Sequence, residues 1–188
     1  MTKNNLKLLI SGCGRSGTKY ITKLLNELNV IAFHEVQETK CEVIVDWHLL
    51  CNNPFKEIPM IHQVRDPLKT ISSVTKISSV SWDLIKEKIP IEKTDSTILK
   101  AMKYYYHWNK LAQTQSLYTY RVENIENEIE KILELVGVKE YDKSIIDNIP
   151  KNVNTRKHTD YSWDILKRID LPLANKIIEL GKSYGYNL

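Results

Sequence analysis

The sequence predicts an α/β domain with three layers, α/β/α, around a central and mainly parallel sheet. Two observations predict this fold. Short apolar runs alternate along the chain with amphipathic helical segments, and a glycine-rich turn joins the first apolar run to the first helical segment. The 188 residues fit a single domain, 1–188, because no internal repeat, low-complexity tract or Gly/Ser linker divides them.

Four apolar runs predict strands, since a strand buried on both faces reads as a continuous apolar segment. They cover residues 6–11, 30–33, 59–64 and 117–122. Apolar residues at helical spacing predict helices over residues 18–28, 67–79, 96–112, 125–136, 163–169 and 173–184. Pro67 suits a first helical turn, and Gly137 suits a helix end. Ligands of such sheets bind at the carboxyl ends of the strands, so the loops 12–17, 34–40 and 65–67 should hold the functional residues.

The composition argues against several classes of protein. A net charge of +4 is too small to indicate a nucleic-acid-binding protein. No apolar stretch approaches the roughly 20 residues that span a bilayer, and the N-terminus has no signal-peptide pattern. Cys13, Cys41 and Cys51 lack a metal-binding spacing and fit a reducing compartment. We therefore expect a cytoplasmic protein with no nucleic-acid partner and no stable membrane insertion.

The glycine-rich turn between the first predicted strand and helix has the features of a phosphate-binding loop. Gly12 and Gly17 have the spacing of a nucleotide P-loop, and the following helix N-terminus offers free N–H groups to an anion. A nucleoside triphosphatase continues with Lys and then Ser or Thr, whereas this chain has Thr18 and then Lys19. Lys19 is therefore turned by about 100° on the helix, and Arg15 is the cation expected to reach over the loop. The sequence predicts a P-loop-type domain whose loop departs from that of a nucleoside triphosphatase.

Two further pairs of polar residues follow predicted strands. Ser73 lies eight residues after Arg65, about two helical turns on, where both side chains can share one phosphate. The alternative for this pair is a surface ion pair between Arg65 and Asp66. His34 and Glu35 directly follow the second predicted strand, and either could serve as a general base. The alternative for them is a solvated loop.

Together these segments resemble the sulfotransferase superfamily, in particular small PAPS-dependent members of bacterial type. Residues 12–18 are similar to the family's 5′-phosphosulfate loop. Arg65-Asp66-Pro67 with Ser73 is similar to its 3′-phosphate motif, in which an Arg is followed eight residues later by a Ser. Residues 176–186 are similar to the closing helix of many bacterial members. The similarity covers the N-terminal half well and the rest of the chain loosely.

The resemblance implies sulfuryl transfer from 3′-phosphoadenosine 5′-phosphosulfate (PAPS), which leaves 3′-phosphoadenosine 5′-phosphate (PAP), without a metal. Arg15 would contact the 5′-phosphate and the sulfuryl group, and Arg65 with Ser73 would hold the 3′-phosphate. Glu35 would deprotonate the acceptor, with His34 as the alternative. The remaining contacts to the 5′-phosphate would come from the loop and the helix start, at Gly14, Ser16, Gly17, Thr18 and Lys19. Lys19 stands where the family has a second Thr, which puts one hydroxyl contact in doubt.

The resemblance also implies a basic loop over the 3′-phosphate from the C-terminal half, for which Arg156 and Lys157 are the candidates. Trp47, Trp82 and Trp108 could stack on adenine, although aromatic residues more often belong to the core. The acceptor is expected to be a small molecule or a carbohydrate. Because the chain is shorter than most members, a homo-oligomer in which a partner subunit completes the acceptor site stays open.

Two other functions remain open on the sequence. Residues 42–46 resemble a strand that ends in a magnesium-associated carboxylate, as in a small P-loop kinase. The residue order at Thr18-Lys19 and the pair Arg65/Ser73 argue against a kinase. A non-catalytic nucleotide-binding protein on the same fold is the second alternative, and it would bind PAP without transferring a group.

Overall fold

The computed structural model describes residues 5–36, 38–148 and 159–188. Five strands within these residues form one sheet: β1 (Leu8–Gly12), β2 (Ala32–His34), β3 (Val43–Val45), β4 (Met60–Val64) and β5 (Thr119–Arg121). The strand order is β2-β3-β1-β4-β5, and every neighbouring pair is parallel. The predicted α/β fold with a central parallel sheet is confirmed.

Helices in the described part of the chain cover both faces of this sheet. In chain order they are α1 (Thr18–Glu27), α2 (Pro67–Val74), α3 (Ser79–Ile85), α4 (Thr97–Gln115), α5 (Ile125–Val136), α6 (Ser144–Asn148), α7 (Trp163–Ile169) and α8 (Leu171–Ser183). Buried side chains of α1, α5 and α6 form the core on one face, and those of the other five helices form the core on the opposite face. The molecule therefore has the three predicted layers.

The central strand β1 is completely buried because its side chains alternate between the two cores. Leu8 and Ile10 pack against the layer of α1 and α5, whereas Leu9 packs in the opposite core. Each fully buried side chain of this size contributes about 1.5–3 kcal/mol. At the end of β1 a Cβ on Gly12 would lie 2.1 Å from the Gln63 carbonyl oxygen, so only glycine lets β1 and β4 approach this closely.

The long helix α4 crosses the sheet and supplies the largest buried side chains. Ser96 caps its first turn by accepting from the Leu99 N–H at 3.2 Å. These large side chains are those of Tyr104, Tyr105 and Trp108, which are almost completely buried. These aromatic rings fill the space between α4, the sheet and the start of the glycine-rich loop, so α4 fixes the inner wall of the region that the loop encloses.

Some element boundaries differ from the sequence-based expectation. The helix predicted at 67–79 ends at Val74, and Ser78 caps a separate helix, α3, through the Ser81 N–H at 3.3 Å. Strand β3 was foreseen only within the kinase alternative, because its three residues form too short an apolar run to stand out. Helix α8 begins two residues early, since Asp170 caps it through the Leu173 N–H at 2.9 Å.

Two global features concern membranes and cysteines. Across residues 5–36, 38–148 and 159–188, the structure has no helix whose length and apolar content would let it cross a membrane. Cys13, Cys41 and Cys51 are all free thiols, of which Cys13 and Cys41 are buried. Burial raises the pKa of all three thiols, with Cys13 affected most strongly, so they stay protonated near neutral pH.

Candidate active site

The glycine-rich loop lies between β1 and α1, at the carboxyl edge of the sheet. Gly17 directly precedes α1 with a φ of 96°, in the left-handed region that favours glycine. No side chain caps α1. Within the described part of the chain, the backbone N–H groups of Gly17, Thr18 and Lys19 have no protein acceptor, as is usual for a first helical turn. They form a ready donor site for an anion.

Arg15 has an unusual backbone in this loop. Its φ is 73°, one of three positive values at non-glycine residues in the described chain, the others being those of Asn29 and Glu35. Side chains with a Cβ adopt this region at an energetic cost, and such strain clusters at functional sites. Two of the three residues are those that the sequence analysis assigned to catalysis.

Arg15, Arg65 and Ser73 come together around one point. The Arg15 Nε donates to the Ser73 hydroxyl at 2.9 Å, and the Arg65 Nη1 donates to the Arg15 carbonyl oxygen at 3.2 Å. The Arg65 guanidinium therefore turns towards the glycine-rich loop, and the alternative of an ion pair with Asp66 is not what the structure shows. Ser73, on α2, is buried beside it.

The loop that carries Arg65 is braced from the C-terminal end of the chain. The Asp66 N–H donates to one carboxylate oxygen of Glu123 at 2.8 Å, and the Tyr186 hydroxyl donates to the other at 2.8 Å. Burial and the charge of Glu123 raise the pKa of Tyr186, so this hydroxyl keeps the proton that it donates. The bracing holds the backbone next to Arg65 in place.

His34 and Glu35 lie at the end of β2, facing the start of α1. The His34 Nε2 lies 2.9 Å from the Thr18 hydroxyl and 3.7 Å from the Glu35 carboxylate. Burial lowers the pKa of His34, although the charge of Glu35 opposes this effect. His34 is thus neutral near pH 7 and held by Thr18, whereas Glu35 is exposed and carries the positive φ of 55°.

A second carboxylate–histidine pair, which sequence reasoning did not find, follows β3. The buried Asp46 carboxylate accepts both the His48 backbone N–H at 2.8 Å and the His48 Nδ1 at 2.7 Å. Burial opposes the charged imidazolium, but Asp46 outweighs it and raises the pKa of His48. The signal was an acidic residue followed two positions later by histidine; the sequence analysis considered Asp46 only as a magnesium-associated carboxylate and did not connect it with His48.

These loops enclose a cavity of about 280 Å³, which we call the glycine-loop cavity. One wall carries the polar groups Arg15, Lys19, His34, Glu35, His48 and Arg65. The lining also includes Ile77 and Ser78 from the connection between α2 and α3, Ser81 and Ile85 from α3, and the aromatic rings of Trp47 and Tyr104. Lys19, expected from its position on the helix to point away, lies at the exposed rim of the cavity.

Two of the predicted backbone donors are already engaged within the protein. The Gly14 N–H donates to the Tyr104 hydroxyl at 2.8 Å, and the Ser16 N–H donates to the Cys13 carbonyl oxygen at 3.1 Å. The Ser16 hydroxyl is buried and has no partner among the described residues. The donors left for a ligand are therefore those at Gly17, Thr18 and Lys19.

A chain of buried hydrogen bonds ties the loop to the sheet. The Gln63 Nε2 donates to the Ser16 carbonyl oxygen at 2.8 Å, and the Tyr120 hydroxyl donates to the Gln63 Oε1 at 2.6 Å. The loop geometry is consequently fixed by β4 and β5 before any ligand arrives.

Some predicted residues contribute elsewhere or fall outside the structure. Arg156 and Lys157 lie outside the described residues; the nearby Tyr161 N–H donates to the Ser72 hydroxyl at 3.1 Å, beside Ser73. Trp108 is fully buried in the core, and Trp82 is partly buried and packs edge-on against the Tyr104 ring. Only Trp47 of the three candidate tryptophans lines the glycine-loop cavity.

The arrangement is suited to binding an anion and removing a proton beside it. Arg15, Lys19 and Arg65 surround the cavity, and the N-terminus of α1 adds about half a positive charge. Among the described residues, no group of three or more His, Cys, Asp or Glu side chains is arranged to hold a metal ion.

No model of a known protein family matches the sequence, and no curated protein is significantly similar to it. Solved structures match it in fold. The sulfotransferase domain from the curacin biosynthetic pathway has a TM-score of 0.59 at 10% identity, over 100% of both chains. Mouse sulfotransferase SULT7A1 complexed with PAP has a TM-score of 0.47 at 13% identity, over 88% of this chain and 66% of that one. The chain thus has a sulfotransferase-type fold, as the resemblance implied.

Proposed function

We propose that the protein transfers a sulfuryl group from PAPS to a hydroxyl or amine of a small-molecule or carbohydrate acceptor. The observation that carries this proposal is the convergence of Arg15, Ser73 and Arg65 beside the free N–H groups of α1. One ligand that bears two separated phosphates would use both groups of donors. The sulfotransferase-type fold supports the same conclusion.

The residues present fit a bisphosphate donor. Arg15 and the N–H groups of Gly17 and Thr18 would hold the 5′-phosphate, with Lys19 at the rim. Arg65 and the Ser73 hydroxyl would hold the 3′-phosphate, because Ser73 accepts from Arg15 and keeps its own proton for another acceptor. When bound, PAPS supplies the activated sulfuryl group on a phosphate leaving group.

The catalytic work of the chain is to position groups and to neutralise charge. Arg15, fixed by Ser73, stabilises the negative charge that develops on the bridging oxygen. Glu35 removes the acceptor proton; its support is its place in the cavity wall and its left-handed backbone. Burial lowers the pKa of His34, and the contact with the Thr18 hydroxyl holds its ring in place beside Glu35.

His48 is the alternative base, and a specific observation favours it. Asp46 holds its Nδ1, so the Nε2 of the neutral ring carries the lone pair that accepts a proton.

Calorimetric titration with PAP and with ADP, both in the presence of a chelator, tests the proposal. We expect PAP to bind and ADP to bind much more weakly, because only PAP engages Arg65 and Ser73. A second pair of titrations replaces the chelator with Mg²⁺; ADP binding that appears only then and exceeds PAP binding would contradict the PAPS assignment and favour a kinase. Labelled PAPS with an acceptor panel then separates a transferase, which labels an acceptor, from a non-catalytic binder, which labels none.

A further inference from the structure

A side-chain hydrogen bond joins the end of β2 to the start of α1. The His34 Nε2 lies 2.9 Å from the Thr18 hydroxyl oxygen. Both residues line the glycine-loop cavity, and Thr18 is the first residue of α1, beside the free N–H groups of the first helical turn. Among the described residues, neither the Thr18 hydroxyl nor the His34 Nδ1 has a second hydrogen-bond partner. What each group can offer to a ligand therefore depends on this one bond.

The position of the proton in this bond decides what Thr18 presents to an anion. A hydroxyl group has one proton to donate and two lone pairs that accept. If the Thr18 hydroxyl donated to the His34 Nε2, it would present only lone pairs to the cavity, and lone pairs repel an anion. If the His34 Nε2–H donates to the Thr18 oxygen, the hydroxyl proton stays available to a ligand.

The charge of Glu35 favours the second arrangement. One of its carboxylate oxygens lies 3.7 Å from the same His34 Nε2. A proton on Nε2 is attracted by this negative charge, whereas a lone pair on Nε2 is repelled by it. The distance to Glu35 is too long for a hydrogen bond, so the Nε2–H is left to donate to Thr18. Because burial lowers the pKa of His34 and keeps the ring neutral, its lone pair then lies on Nδ1.

We propose that His34 is a positioning residue for the 5′-phosphate of the nucleotide: its Nε2–H donates to the Thr18 oxygen and thereby directs the Thr18 hydroxyl proton to that phosphate. The Thr18 hydroxyl then acts on the phosphate together with the N–H groups at the start of α1. The proposal rests on the proposed function in that the glycine-loop cavity must bind a nucleotide 5′-phosphate. It gives His34 a role in donor binding and assigns it no proton transfer.

Calorimetry with three nucleotides tests this proposal. PAP and 5′-AMP carry the 5′-phosphate, whereas 3′-AMP lacks it and is the control ligand. We expect His34→Leu to weaken the binding of PAP and 5′-AMP by about fivefold and to leave 3′-AMP nearly unchanged, because one hydrogen bond to the 5′-phosphate is lost. In a Thr18→Val background, His34→Leu should cause no further loss, since His34 acts only through the Thr18 hydroxyl.

Two more variants separate this role from a general effect on the fold. His34→Gln should keep most of the affinity for PAP and 5′-AMP, because the amide N–H can replace the Nε2–H. His107→Leu is the matched control, since His107 is a half-buried histidine of α4 that does not line the glycine-loop cavity, and we expect it to change no affinity.

The results that overturn the proposal differ from those that overturn the proposed function. Equal losses from His34→Leu with and without the Thr18 hydroxyl, or an equal loss for 3′-AMP, would contradict the positioning role while PAP binding by the parent stands. No binding of PAP or 5′-AMP to the parent would refute the proposed function, and the role of His34 with it.

Nitrogen-15 NMR of the His34 ring in the parent protein gives an independent readout without any substitution. The chemical shifts of the two ring nitrogens show which of them carries a proton. We expect the Nε2 to be protonated and the Nδ1 to be unprotonated in the PAP complex. A PAP complex in which only the Nδ1 carries a proton would overturn the proposal, because the Nε2 could then only accept from Thr18.

Discussion

The two cavities of this protein differ in how they are built. The glycine-loop cavity lies at the carboxyl edge of the sheet, where short loops bring cations and candidate bases together. The edge cavity, a space of about 460 Å³ beside β5, is assembled from two distant segments, residues 113–128 and 183–184, and its lining mixes hydroxyl, amide and charged side chains. Strand-end loops can be recognised from sequence because their residues are consecutive, whereas a cavity between distant segments has no local pattern.

If chemistry belongs to the glycine-loop cavity, the largest effect should come from its candidate base. We expect Glu35→Gln to lower kcat by about 10²–10⁴-fold while PAP affinity changes little, since the amide cannot take a proton. Glu38→Gln, an exposed carboxylate on the same loop, is the matched control and should keep full activity. Steady-state kinetics of label transfer from PAPS to the acceptor gives kcat for both variants.

The same assay distinguishes His48 from Glu35. With Glu35 as the base, His48→Asn should keep most of the activity. A loss in His48→Asn as large as that expected for Glu35→Gln would move the role to His48. The rate would then fall with decreasing pH through the raised pKa of His48, because only the neutral imidazole accepts a proton.

The strands between the two cavities contain a buried histidine, and this predicts the pH dependence of stability. His62 lies between Asn109 and Thr119, and burial lowers its pKa from 6.5 to about 4. Between pH 6.5 and pH 4 the His62 imidazole is protonated in the unfolded chain and neutral in the folded one. The free energy of unfolding should therefore fall by about 3 kcal/mol as the pH drops from 6.5 to 4. Below that range the group contributes no further change.

Denaturant unfolding at several pH values measures this fall, and His62→Gln should flatten the curve. His34 and His107, whose pKa values are also lowered by burial, add smaller contributions of the same sign. An unchanged pH dependence in His62→Gln would show that the stability loss has another source.

The hydrogen-bond chain from Tyr120 through Gln63 to Ser16 connects the two cavities. Tyr120→Phe leaves the Gln63 Oε1 without its partner, so we expect the free energy of unfolding to fall by about 1–3 kcal/mol. Tyr141→Phe at the surface should change it by less than about 0.5 kcal/mol. Equal effects of the two variants would mean that the buried chain does not stabilise the loop.

Much of the fold could be predicted because it depends on local sequence. Helix α5 has the predicted bounds, and Gly137 ends it with a φ of 82°. Helix α7 also has the predicted bounds. The pair Arg65 and Ser73 meets Arg15 because two helical turns and a strand end suffice to bring them together.

The parts that escaped prediction depend on tertiary packing. Strand β3 has three residues and is buried only because β1 and β2 lie on either side of it. The sequence analysis considered this strand, with Asp46 at its end, only for a kinase, and it did not predict the pairing of Asp46 with His48. The engagement of the Gly14 N–H by Tyr104, a residue 90 positions away, could not be seen in the loop sequence. The edge cavity depends on tertiary packing most of all, because its lining residues come from two distant segments of the chain.

The most direct measurement is a comparison of two ligands on two proteins by calorimetry, without metal. PAP and 5′-AMP differ only in the 3′-phosphate, and the proteins are the parent and Arg65→Ala. We expect Arg65→Ala to weaken PAP binding by about tenfold or more and to leave the affinity for 5′-AMP nearly unchanged, because Arg65 and Ser73 bind only the 3′-phosphate. Equal losses for both ligands, or no preference of the parent for PAP, would contradict it.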